Sequence, residues 1–81
     1  MIPLASRDSR PMWDQVAQSL SDLLDRGAFL PGEALPQPEE LAWQMVVNPT
    51  AVRRAYAALE ARGLLEQRED AVYYRAAERE R

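Results

Sequence analysis

Cysteine, histidine and lysine are all absent from this 81-residue chain. Without cysteine there is neither a disulfide nor a thiolate zinc site, and without histidine the common transition-metal sites and imidazole acid–base catalysis are excluded. Glycine is scarce, at three residues, and each stands where a helix ends or the chain turns. No run approaches the ~18 apolar residues of a membrane span. Met1-Ile2-Pro3-Leu4-Ala5 lacks the basic region and apolar core of a secretory signal. The expectation is a soluble protein of the cytoplasm with no cofactor and no metal. A domain this short buries only about 60% of its unfolded surface, so a partner subunit is the expected further support.

The net charge of −3 runs against a nucleic-acid partner, because such proteins usually carry a basic excess. Its distribution carries more information. Over residues 41–63 three arginines face only Glu60, a local excess of +2, while Asp14, Asp22, Asp25, Glu33, Glu39 and Glu40 gather earlier in the chain.

That basic stretch is the best-defined segment. Asn48 is a good N-cap and Pro49 suits the first helical position, where its missing N–H costs nothing. Val52, Ala55, Tyr56 and Leu59 recur as one apolar stripe, and Gly63 supplies the left-handed residue that ends a helix. Arg53 and Arg54 lie about a turn in, near the end that enters the major groove in helix-turn-helix proteins. Tyr56 belongs to the core, with its hydroxyl directed toward the surface.

Elsewhere, Pro11 opens a first helix whose stripe is Trp13, Val16, Ala17, Leu20, Leu23 and Leu24, ended by Gly27. Pro31-Gly32 marks a turn, and Ala34-Leu35 a brief extended piece. A short second helix runs from about Pro38 to Met45 and buries Leu41, Ala42 and Met45. Residues 64–68 and 71–75 read as two strands joined around Glu69-Asp70, although that turn lacks the usual glycine. Trp13 and Trp43 are expected to pack; of Tyr73 and Tyr74, which alternate on a strand, one should face inward. The order is helix, short strand, helix, turn, helix, hairpin: mainly α with a small β-hairpin, a winged helix-turn-helix of three helices plus wing. It occupies residues 11–75, between an N-terminal arm (1–10) and a charged tail (76–81).

Pro11-Met12-Trp13-Asp14-Gln15-Val16, Gly27 and Leu30-Pro31-Gly32-Glu33-Ala34-Leu35-Pro36 resemble the opening of the GntR family's DNA-binding domain. Val47-Asn48-Pro49-Thr50-Ala51-Val52-Arg53-Arg54-Ala55-Tyr56, with Leu59-Glu60 and Gly63-Leu64-Leu65, is similar to its YtrA-type subfamily. The resemblance covers residues 2–75. It implies a bacterial transcriptional regulator, usually a repressor, that binds double-stranded DNA at a palindromic operator as a homodimer, with the third helix (about 49–62) in the major groove and the wing at the minor groove. Carried over, the readers are Asn48, Thr50, Arg53 and Arg54, with the wing at Arg68 to Ala71. Arg53 would read or clamp the groove, Arg54 and Arg62 approach phosphates, and Arg68 support the wing. The subfamily continues into a dimerising helical segment, of which the 76–81 tail would be the start.

Two departures stand out. The family commonly has a serine after the Leu-Pro pair and, two residues on, an arginine that contacts the DNA backbone; here those positions are Gln37 and Glu39. The wing tip, usually glycine-rich and basic, is Glu69-Asp70. Both changes weaken electrostatic attraction to a duplex. They motivate a second reading, a winged-helix protein–protein interaction module that has lost DNA binding. An enzyme is not expected: Glu39-Glu40 and Glu69-Asp70 are adjacent pairs whose side chains diverge, and no serine has a histidine to activate it.

Overall fold

The computed structural model describes residues 10–76. Three helices, α1 (Met12–Asp25), α2 (Pro38–Met45) and α3 (Pro49–Ala61), precede a hairpin of β1 (Leu65–Gln67) and β2 (Tyr73–Arg75). The strands are antiparallel, with Leu65 opposite Arg75, Glu66 opposite Tyr74 and Gln67 opposite Tyr73. The extended piece expected near Ala34 lies along the other edge of β2. Ala34 bridges Tyr74, the Leu35 N–H donates to the Tyr73 carbonyl at 2.8 Å, and the Gly32 N–H to the Arg75 carbonyl at 2.7 Å. This is the expected winged helix-turn-helix. The expected arm, apart from Arg10, lies outside the described residues, as does all of the tail beyond Ala76.

α3 is the central element, packed against α1, α2 and β1. Its stripe of Val52, Ala55, Tyr56 and Leu59 is fully buried, and meets Val16, Ala17, Leu20 and Leu24 of α1, Ala42 of α2, Leu35 and Leu65. Burying side chains of this kind is worth roughly 1.5–3 kcal/mol each, which makes this cluster the main source of stability. No buried side-chain polar atom lacks a partner among the described residues.

Tyr56 departs from expectation. Its hydroxyl turns inward and donates to the Pro36 carbonyl at 2.9 Å, while its ring meets Tyr73 edge-on at 5.1 Å. Other expectations also change. Leu23 is 41% exposed, because a one-residue step from buried Leu24 turns it about 100° off the Leu20–Leu24 line. Leu41 and Met45 are only half-buried. Trp43 is 84% exposed: α2 is eight residues long, and a one-residue step from Ala42 turns Trp43 about 100° off the buried line. Gln15, by contrast, is buried and donates to the Arg10 carbonyl at 2.9 Å.

The three helices end alike. After α1, Gly27 N–H meets the Leu24 carbonyl and Ala28 N–H the Leu23 carbonyl; after α3, Gly63 meets Glu60 and Leu64 meets Leu59. This paired motif needs a left-handed residue, and glycine supplies it at +82° in both places. After α2 the same bonds form, Val46 to Trp43 and Val47 to Ala42, but the left-handed residue is Val46 at φ 58°. A β-branched residue there is strained. Val46→Gly should therefore stabilise the domain by about 1 kcal/mol, raising the melting temperature by roughly 4–8 °C in a thermal scan.

Burial, and then the Glu40 carboxylate, push the Tyr56 hydroxyl above the ordinary tyrosine value of 10.0. With the folded-state value raised, the associated stability is complete below pH 10 and is lost as pH rises, because the unfolded chain gives up its proton first. Tyr56→Phe should cost about 1 kcal/mol at neutral pH, and should lose less further stability than wild type between pH 10 and 12 in denaturant titrations. Tyr73 and Tyr74 are raised too and supply the slope that remains.

Candidate nucleic-acid interface

The exposed face of α3 begins at its N-cap. Asn48 is extended, and its Oδ1 accepts from the Thr50 N–H at 2.7 Å. The cap fixes where α3 starts and leaves Asn48 and Thr50 exposed at the positive end of the helix dipole. Thr50, Arg53, Arg54 and Ala57 follow one another on the side that no other element covers.

The adjacent arginines part company, as a 100° step between neighbours on a helix requires. Arg53 leans toward α2, where its Nη1 donates to Oε2 of Glu39. Both side chains of this ion pair stay largely exposed, at 51% and 64%. A pair so placed contributes only about 0.2–1 kcal/mol to folding. Arg54 leans toward α1 and lies over the half-buried Trp13 ring, 4.9 Å from its centre. Packing for Trp13 is thus met by a cation rather than by the core.

Arg62 stands apart. It follows the last residue of α3, roughly 20 Å along the axis from Asn48, and is exposed. Arg68 leaves the end of β1 and folds back over the hairpin: its Nη2 pairs with Glu66 at 2.9 Å, and its guanidinium lies 4.0 Å above the Tyr74 ring. Asn48, Thr50 and Arg53 are therefore grouped, whereas Arg54, Arg62 and Arg68 point to three other places. An open cleft of about 220 Å³ separates α2 and α3 from the wing, lined by Gln37, Pro38, Glu39, Arg53, Gln67, Ala71 and Tyr73.

Sequence reasoning marked Glu39 as an anion in a cation's place and missed that it pairs with Arg53, fourteen residues on. It also missed Trp13 beneath Arg54. For Glu66 and Arg68 a signal existed: two residues apart at a strand end, they share a face.

The wing turn manages without glycine because Ala71 takes the left-handed conformation at φ 66° and Asp70 braces it. Asp70 accepts from the Tyr74 hydroxyl at 2.6 Å and from the Val72 N–H at 3.0 Å. These bonds, the Tyr74 hydroxyl foremost, hold its carboxyl below the usual range. Among the described residues no cluster of acidic side chains could hold a metal, and no helix is long and apolar enough to cross a membrane.

Three helices with an exposed third helix and a two-stranded wing define a winged helix-turn-helix domain. Residues 13–71 match the model of the bacterial regulatory proteins of the gntR family. The chain belongs to the GntR family. It is 38% identical over 66 residues to the HTH-type transcriptional repressor YtrA of Bacillus subtilis, covering 82% of this chain and 51% of that protein; it thus spans about half of that relative's length. The structure of YtrA from Sulfolobus acidocaldarius, a GntR-family transcription factor, superposes with a TM-score of 0.81 at 28% identity, over 99% of this chain and 68% of that one. The AraR DNA-binding domain in complex with operator ORE1 gives 0.79 at 29% identity, over 94% of this chain and 93% of that one.

The bonds to Asp70 yield a pH prediction. A depressed folded-state value means that the support it lends the wing is present above the ordinary carboxylate range and is lost as pH falls through the depressed value. The protection of the Val72 amide, its exchange rate taken relative to the intrinsic rate at each pH, should fall below about pH 4. Asp70→Asn should show the lowered protection already at neutral pH, read by amide exchange in NMR.

Proposed function

We propose that this chain is the DNA-binding domain of a GntR-type transcriptional regulator, acting in the bacterial cytoplasm. The observation that carries the reading is the uncovered amino-terminal half of α3, which presents Asn48, Thr50 and Arg53 together beside the cleft. An exposed helix of this kind enters the major groove amino-terminal end first. The AraR DNA-binding domain, of the same fold, is in complex with an operator, which supports a DNA-binding use of this fold. Arg53 reads a base or clamps the groove edge, and the α3 terminus with Asn48 and Thr50 meets phosphate. Arg62 serves as a second phosphate contact further along α3. Arg54 meets phosphate from its seat on Trp13, and Arg68 holds the wing in shape from its seat on Tyr74.

Two such domains, with recognition helices about 34–36 Å apart, would occupy the halves of a palindrome as a homodimer and exclude polymerase, a repressor's action. One observation favours the alternative, a protein–protein interaction module: Arg68 is neutralised by Glu66, so the wing presents Glu69 and Asp70. DNA binding separates the two. Fluorescence anisotropy with a duplex selected from a random pool should show affinity that falls steeply with salt. Arg53→Ala should weaken that binding by about 1–3 kcal/mol and relax selectivity at one base pair. Equal binding by wild type and Arg53→Ala across a salt series removes Arg53 from the interface. Absence of salt-sensitive binding by wild type favours the protein-partner reading.

A further inference from the structure

Glu39 and Arg53 belong to different helices, and rigid packing sets them against each other. Glu39 lies in the first turn of α2, one residue after Pro38, and Arg53 in the second turn of α3. Buried Ala42 and Val52 belong to the cluster that fixes these helices to one another. The pair is thus built on two helices rather than on a loop, and stands exposed at the mouth of the cleft beside the wing.

A guanidinium carries five N–H donors and stays charged at all working pH values. Glu39 accepts from Nη1, which leaves the edge formed by Nη2 and Nε for a bidentate contact. The neighbouring carboxylate cancels the local charge and repels phosphate, making Arg53 a poor backbone clamp. A neutral pair of acceptors suffers less from that repulsion, and guanine offers one in O6 and N7.

We propose that Glu39 is a specificity-determining, positioning residue: by engaging one edge of Arg53 it aims the other at guanine and suppresses binding to duplex of arbitrary sequence. The assignment rests on α3 entering the major groove, as set out above.

The test uses the whole chain as wild type and Glu39→Gln. The probes are a fluorescein-labelled duplex carrying the site that wild type recovers from a random pool, and a second of mixed sequence. Anisotropy is followed over about 50–300 mM salt, with circular dichroism confirming that both proteins are folded. Glu39→Gln should bind the mixed duplex several-fold more tightly. Its plot of log affinity against log salt should steepen by about one, as Arg53 gains a phosphate. The ratio of selected to mixed affinity should fall by about tenfold. A merely structural role would weaken both affinities together at unchanged slope, and that result overturns the assignment, as does an unchanged ratio. Recovery of no site by wild type has a separate signature: it defeats the DNA-binding reading, and this assignment with it.

Discussion

Tyr56 is the residue on which the arrangement of this domain depends. Its ring is fully buried in α3, its hydroxyl donates to the Pro36 carbonyl just before α2, and its edge meets Tyr73 in the wing. One side chain thereby ties α3 to the segment that introduces α2 and to the strand that closes the hairpin. A phenol suits the place because it combines a large apolar area with one donor, and the buried donor has its acceptor. The spacing between α2, α3 and the wing, and so the cleft between them, follows from that junction.

Around the cleft the charges are arranged in local pairs. Arg53 meets Glu39, Arg68 meets Glu66 and stacks on Tyr74, and Arg54 rests on Trp13. Pairs at such exposure add little to folding, but they decide how much positive potential the surface offers a duplex. The basic excess of the surface is reduced in this way, and the uncovered groups at the amino-terminal end of α3 are left as its polar face. The wing holds its shape through Asp70, Tyr74 and Val72 without a glycine or a free cation at its tip.

Much of the fold was legible in the chain. The α3 boundaries followed from Asn48-Pro49 and Gly63, the stripe on α3 from its 3.6-residue period, and the hairpin from Val72 and the tyrosines, because caps, turns and apolar periodicity are local chemistry. The misreadings share a cause. Leu23 was assigned to the interior as part of the α1 stripe and Trp43 on residue type, yet each stands one residue from a buried neighbour and so about 100° off the buried line. The inward hydroxyl of Tyr56 depended on a carbonyl twenty residues away.

The sequence by itself determined which segments are helical, where each stops, which face of α3 is buried and which family the chain resembles. Each of these is set within a few residues by backbone conformation and side-chain period. Only the tertiary structure decided what each arginine does, because a guanidinium on a long, flexible stem takes whichever partner the packing brings within reach. For Arg53 that partner sits on α2, for Arg54 it is an indole on α1, and for Arg68 it is the wing itself.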